Sequence, residues 1–321
     1  MRRMIALALG LAFAALALGH TQAAQREPVG DEAYAILCQF YRYDANLPLN
    51  ANVERSEPVT GGHIEWFSFD SPKGGRVPGI LIVPEGKGPF PVALALHGYG
   101  GSKNTAREVW PLVAALGVAV ISLDAVYHGD RAVEGVSIYD PEHLVRSRDA
   151  LIQSIIDYRR ALDYAATRED LDVGRVVCAG GSMGAIMGVV LTAVEPRIDL
   201  GIFIVGGADW ELMAAQSSLP EGEQARKLGV LKQVGDILTP VDPLHFAPHL
   251  APRPALYING RQDTVVPVAA NKRLHEVASE PKTIKWFDSG HSVPEGPAAM
   301  EVLNWLIPKL NALKSEVETR R

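Results

Sequence analysis

The run Ala179-Gly180-Gly181-Ser182-Met183-Gly184-Ala185 sets a serine between glycines two positions to either side. A short apolar stretch, Val176 to Ala179, precedes it, and Met183 to Val194, rich in small and apolar residues, follows. This is the pattern of a buried strand, a sharp turn and a helix. A serine on such a turn takes a strained backbone conformation. Side chains at 180 and 184 would clash with the adjoining strand and helix, so glycine is required there. The turn lifts the hydroxyl above the edge of a sheet and aims the first N–H groups of the helix at the space beside it. A glycine-rich turn with a capping serine would also account for the glycines. The strand-to-helix context makes Ser182 the candidate nucleophile.

Outward from this turn, strands and helices alternate. Pro91 to Leu96, Val118 to Leu123, Leu200 to Val205, Ala255 to Asn259 and Thr283 to Phe287 read as strands. Thr105 to Leu116, Leu144 to Ala166 and Pro297 to Leu313 read as helices. Near-continuous apolar strands separated by helices predict an α/β fold, with a mostly parallel central sheet covered by helices on both faces. His63 to Phe69 and Val77 to Val83, joined by Ser71-Pro72-Lys73-Gly74-Gly75, form a hairpin expected at the antiparallel edge. Ala33 to Tyr43 suggests a helix in an N-terminal region of mixed character that reaches about Glu57. About fifty residues break the alternation between the strands at Leu200 and Ala255; they predict a small helical cap over one end of the sheet, about 208–250. Asp130 to Glu142 is expected to be a second loop at that end.

The chain has 321 residues, 47% of them apolar, and a formal net charge of −6. That balance argues against nucleic acid and anionic membrane as partners, because phosphate calls for a basic surface. The first 23 residues have the pattern of a signal peptide. Arg2 and Arg3 precede the uncharged apolar stretch Ile5 to Leu18, and Thr21-Gln22-Ala23-Ala24 supplies small residues for cleavage after Ala23 or Ala24. The apolar run is shorter than the roughly 20 residues that span a bilayer. The expectation is export to the periplasm or beyond, with no stable membrane insertion after cleavage. Residues 24–321 then make a single domain that includes the cap. Cys38 and Cys178 are the two cysteines, and the apolar strand around Cys178 favours two free thiols over a bridge.

A serine hydroxyl is a poor nucleophile until a base takes its proton. Among nine histidines, His291 lies in Asp288-Ser289-Gly290-His291-Ser292, after the last strand and before the closing helix. Parallel strands all end on one side, so this loop shares the sheet edge with Ser182. His245 and His249 have a metal-like spacing, but no third ligand pattern accompanies them and zinc sites need three or four. The base in turn needs an acceptor that fixes its tautomer. Asp263, in Gly260-Arg261-Gln262-Asp263-Thr264, sits just past another strand end; Asp288, Asp242 and Asp236 are rivals. An oxyanion needs fixed N–H donors, and the amides of Met183 and Tyr99 are the candidates, with Gly98, Gly100 and Gly101 allowing close backbone approach. Trp210, Leu212 and Met213 of the cap are candidates to line an acyl pocket, and a core role for Trp210 is equally open. The pattern calls for neither a metal nor an organic cofactor.

His97-Gly98-Tyr99-Gly100, Gly180-Gly181-Ser182-Met183-Gly184, Gly260-Arg261-Gln262-Asp263 and Gly290-His291, in this order, resemble the α/β-hydrolase superfamily from about Pro58 to the C-terminus. Asp124-Ala125-Val126-Tyr127-His128-Gly129-Asp130-Arg131 and Asp242-Pro243-Leu244-His245-Phe246-Ala247-Pro248 look like the dienelactone-hydrolase and acetyl-xylan-esterase-like group, or the catalytic module of prolyl-oligopeptidase-type peptidases. Dienelactone hydrolases carry Cys where this chain has Ser182, and no propeller precedes the fold. The resemblance implies a serine hydrolase that cleaves carboxylic esters through an acyl-enzyme, on a small-molecule or polymer-linked substrate. A peptidase or acyltransferase with the same triad, and a non-catalytic binding module, are the alternatives. Oligomeric state has no signature in the sequence.

Overall fold

The computed structural model describes residues 26–320, with side chains to residue 315; the expected signal peptide lies outside the described residues. In chain order the elements are α1 (Asp31–Gln39), β1 (Asn52–Val59), β2 (Gly62–Asp70), β3 (Arg76–Pro84), β4 (Phe90–Leu96), α2 (Thr105–Val113), β5 (Ala119–Leu123), α3 (Leu144–Ala165), β6 (Leu171–Gly181), α4 (Met183–Val194), β7 (Leu200–Ile204), α5 (Trp210–Gln216), α6 (Pro220–Leu228), α7 (Leu231–Leu238), α8 (Pro243–Phe246), β8 (Ala255–Gly260), α9 (Val268–Val277), β9 (Lys282–Phe287) and α10 (Glu295–Arg320). One nine-stranded sheet runs in the order β1-β2-β3-β5-β4-β6-β7-β8-β9. The pairings from β5 to β9 are parallel, and β1, β2 and β3 add on antiparallel.

Hydrophobic burial explains the layers. β4, β5, β7 and β8 are apolar along nearly their whole length and buried on both faces. One face packs against α2 and α10 through Trp110, Val113, Val302, Trp305 and Leu306. The other face packs against α3, α4, α8 and α9, with Ile155, Ile186, Val190, Phe246 and Leu274 in its core. α4 is apolar all round and buried along its length, as a helix wedged between a sheet and further helices must be.

Two expectations need correction. The hairpin of β2 and β3 is not the sheet edge, because β1 pairs outside it, Val53 to Phe67 and Pro58 to His63. β1 reads Asn-Val-Glu-Arg-Ser-Glu-Pro-Val and is almost fully exposed. Main-chain pairing to one neighbour holds it, so it lacks the apolar alternation that marks a half-buried strand. α9 is also absent from the pattern reading. Its buried residues include Asn271, Arg273 and His275 beside Ala270 and Leu274, which blurs the apolar stripe. Both cysteines are free, and burial pushes the Cys178 thiol up to about 12.

Between β7 and β8, α5, α6 and α7 lie over the C-terminal ends of the parallel strands. The first described residues tie them down. The Arg26 guanidinium pairs with Glu211 of α5 at 2.9 Å and Asp236 of α7 at 2.5 Å, and Arg273 of α9 donates to the Arg26 carbonyl and pairs with Glu27. Asp242 is buried and accepts the amides of Asp209, Trp210 and Leu244, fixing the start of α5 to the start of α8.

A buried charge sits at the end of β5. Asp124 is fully buried and accepts the Lys103 amide, the Lys103 ammonium and the Asp130 amide at 2.7–2.9 Å. Removing one partner of a buried ion pair leaves a desolvated charge, at about 3–5 kcal/mol. Lys103→Met is therefore expected to lower the urea-derived unfolding free energy by about 3 kcal/mol; an unchanged midpoint would mean that the two amides alone hold the carboxylate.

Candidate active site

β6 ends at Gly181, α4 begins at Met183, and Ser182 joins them with φ +54° and ψ −120°. An L-residue seldom adopts a positive φ; here the surroundings impose it. The Ser182 amide donates to the Ile204 carbonyl of β7, and the Ser182 carbonyl accepts the amides of Ala185 and Ile186. A Cβ on Gly184 would lie 2.1 Å from the Leu96 carbonyl oxygen, and one on Gly180 would lie 2.3 Å from the Gly184 oxygen. Gly181 faces open space. The outer two glycines thus let helix and strands close on the turn. As first residue of α4, Met183 has an amide without an acceptor in its own helix.

The loops after β8 and β9 meet through a similar approach. A Cβ on Gly260 would lie 2.0 Å from the Gly290 oxygen, and the Arg261 and Gln262 amides donate to Phe287 and Ser289. Asp263 and His291, 28 residues apart in sequence, come together there. Asp263 Oδ1 accepts the Val265 and Val266 amides at 2.9 and 3.0 Å. Its Oδ2 lies 2.8 Å from His291 Nδ1. His291 Nε2 lies 2.9 Å from Ser182 Oγ. The carboxylate is fully buried and accepts only, so Nδ1 carries the proton and Nε2 is left to accept the serine hydroxyl. The His291 side chain is 25% exposed. The rival acids lie elsewhere: Asp288 is exposed beside Arg261, Asp236 bonds Arg26 and Lys232, and Asp242 is enclosed by amides.

His97, His245 and His249 are engaged elsewhere. His97 is buried, donates from Nδ1 to the Gly98 carbonyl at 2.8 Å and accepts the Ala125 amide at Nε2. Burial lowers its pKa to about 4, so it stays neutral while clamping the loop that carries Tyr99. His245 accepts the Val29 amide, and His249 stacks on Tyr34 at 3.5 Å; they share no ligand set. Among the described residues, Asp140, Glu142 and His143 have ligand atoms within 4.8 Å of one another, and the Asp140 carboxylate is already bonded to His143, Arg146 and the Glu142 amide.

Ser182 and His291 stand at a cavity of about 340 Å³. Met183 and Ile186 of α4 form one wall, Trp210, Met213, Ala225, Val234 and Leu238 of α5–α7 another, and Tyr99, Tyr139 and Leu144 a third. Trp210 does two jobs: its ring lines the cavity and packs on Tyr139 at 5.3 Å, while Nε1 donates to the Val241 carbonyl at 3.1 Å. Leu212, expected beside it, is not in the lining. Gly98 lies against the turn, its Cβ position 3.7 Å from Ser182 Cβ, which brings the Tyr99 backbone to the same place. The Tyr99 side chain has a role the pattern reading missed. Its hydroxyl donates to Glu221 of α6 at 2.7 Å and bonds Ser137 at 2.9 Å, pinning the loop after β4 to the cap. No local motif marks Glu221; the contact spans 122 residues.

A family model described as acetyl xylan esterase (AXE1) matches residues 37–205, and one described as the prolyl oligopeptidase family matches residues 147–302. The putative hydrolase YtaP of Bacillus subtilis is 23% identical, covering 71% of this chain and 79% of its own length. The putative esterase YitV of the same organism is 22% identical, covering 67% and 88%. The structure of an acetyl xylan esterase from Paenibacillus sp. R4 superposes with a TM-score of 0.71 at 21% identity, covering 89% of this chain and 96% of that one; at this identity the likeness speaks for the fold.

The glycine contacts give a graded expectation. Gly184→Ala and Gly180→Ala force backbone apart and should each lower unfolding free energy by at least about 2 kcal/mol, whereas Gly181→Ala should stay within about 0.5 kcal/mol of wild type. Chemical denaturation of the three variants reads this directly, and equal losses at all three positions would contradict it.

Proposed function

The chain belongs to the acetyl xylan esterase family and is a carboxylic ester hydrolase, and we propose that it works by transferring the acyl group to Ser182 and then to water. The observation that supports this reading is the hydrogen-bond chain from Ser182 Oγ through His291 to the buried Asp263 carboxylate, standing at the mouth of an apolar cavity.

In this reading Ser182 Oγ attacks the ester carbonyl carbon as its proton passes to His291 Nε2. Asp263 holds the ring in the Nδ1–H tautomer and stabilises the imidazolium. The carbonyl oxygen becomes an oxyanion, bound by the amides of Met183 and Tyr99, each worth about 3–4 kcal/mol of barrier. His291 returns its proton to the departing alkoxide, leaving an acyl-serine. A water, deprotonated by the same nitrogen, attacks that ester and frees the acid. Every step uses groups of this chain and water. Export, inferred from the leader pattern of residues 1–23, would deliver the enzyme to periplasmic or extracellular esters. No helix among the described residues is long and apolar enough to cross a membrane.

A second reading, a peptidase with the same triad, draws on the prolyl oligopeptidase model, whose match includes Ser182, Asp263 and His291. The two differ in the leaving group, so a side-by-side assay separates them. The protein is expected to hydrolyse p-nitrophenyl butyrate and to leave peptide p-nitroanilides intact. Ser182→Ala should lower ester turnover at least about a thousandfold, and Asp263→Asn by about three to four orders of magnitude in kcat with KM little changed. Equal turnover by wild type and Ser182→Ala would remove Ser182 as the nucleophile.

A further inference from the structure

The cavity beside Ser182 is larger and more apolar than an acetyl group needs. Beyond its carbonyl, an acetyl ester offers a single methyl. The cavity beside Ser182 holds about 340 Å³, which at about 30 Å³ for a water-sized group leaves room for about ten such groups. Its depth is built from Trp210, Met213, Val234 and Leu238, all on helices of the cap. None of its lining residues is Lys or Arg, so an anionic acyl tail finds no counter-charge. Of the two carboxylates in the lining, Asp140 is bonded to Arg146 and His143, and Glu221 accepts the Tyr99 hydroxyl at Oε1, while its Oε2 and the Tyr139 hydroxyl are the buried polar atoms there with no partner among the described residues.

Direction follows from the base. His291 Nε2 must reach the departing alkoxide, so the alcohol lies on the histidine side. That side faces water: the His291 side chain is partly exposed, and Asp288, Ser292 and Pro294 of its loop are exposed. The acyl chain takes the opposite direction, under α5–α7, where Met183 and Ile186 meet the cap.

We propose that the preferred substrates carry an uncharged apolar acyl chain of about six to eight carbons, enclosed beneath the cap, on an alcohol that stays in solvent and is weakly selected. This rests on the serine-esterase reading above and departs from the acetyl group in the family's description. Transfer of each methylene from water into such a pocket favours the transition state about fourfold, equivalent to ~0.8 kcal/mol. An extended chain therefore gains until the cavity is full.

The test is kcat/KM of the full chain, with Ser182→Ala beside it, for p-nitrophenyl acetate, butyrate, hexanoate, octanoate and dodecanoate. Hexanoate or octanoate should exceed acetate at least tenfold, with dodecanoate falling back. Ala214→Phe, which narrows the cavity from α5, should lower the octanoate-to-acetate ratio at least tenfold. Leu238→Ala, which widens it from α7, should move the optimum to a longer chain and serves if the first variant does not fold. Across ethyl, benzyl and glyceryl octanoates the values should stay within about tenfold. A Ser182-dependent optimum at acetate would overturn the acyl-chain inference and leave the serine esterase standing. So would a dependence on the alcohol larger than that on the acyl chain. Absence of Ser182-dependent hydrolysis of every ester would overturn both.

Discussion

The approach of α4 to the end of β4 governs the rest of the molecule. Gly184 brings its backbone against the Leu96 carbonyl, closer than any side chain would allow. This contact seats the helix on the sheet and forces Ser182 into the left-handed region. It also sets Met183 at the start of α4, where its amide has no acceptor in its own helix. The conformational strain at one residue is small beside the burial it permits. α4 is the most apolar helix described, and its packing joins the sheet to α3 and α8. A single strained residue is thus held by many unstrained neighbours, which is how strain persists at a functional turn.

The same device recurs at the far side of the site. Gly260 against Gly290 sets the loops after β8 and β9 in contact, and two cross-loop main-chain hydrogen bonds keep them there. The Asp263 carboxylate is consequently aimed by backbone, its other oxygen being held by two amides. Rigid placement matters here because an imidazole that drifts by an ångström loses its hydrogen bond to Ser182. The cavity side is built differently. Its cap-side wall is made of side chains on three short helices, fastened by the Tyr99–Glu221 bond above and by Arg26 outside. The hydrogen-bonded Ser182, His291 and Asp263 therefore rest on the sheet ends, and the shape of the cavity beside them rests on the cap.

This division explains what could be read from the residues alone. The buried strands are continuous apolar runs, and the glycines at 180, 184 and 260 mark points of close backbone contact, so sheet, turn and loop ends were legible. Ser182, Asp263 and His291 follow from the strand ends, and the hydrogen bonds among them are local consequences of those ends. β1 was illegible because its side chains are solvated and carry no core signal. α9 is hidden because Asn271 and His275 face inward, the Asn271 amide donating to the Gly206 carbonyl and His275 bonding Asn259. The cap-side walls of the cavity are legible only at Trp210 and Met213. Val234 and Leu238 enter the cavity through the way α7 folds back, which depends on contacts such as Arg26 to Asp236 across 210 residues.

The two outer strands have a consequence for the molecule among its neighbours. An open sheet offers unpaired main-chain groups at each end, and such edges invite strands from other chains. β1 meets this with Glu54, Arg55 and Glu57 in water and with Pro58, which has no N–H to give. β9 carries Lys282 and Lys285, the second paired to Glu301 of α10. Charge at both edges and proline at one make strand-to-strand growth between copies unfavourable. The exposed, unpatterned sequence of β1, which hid the strand from view, is what keeps a nine-stranded sheet from becoming a template for aggregation.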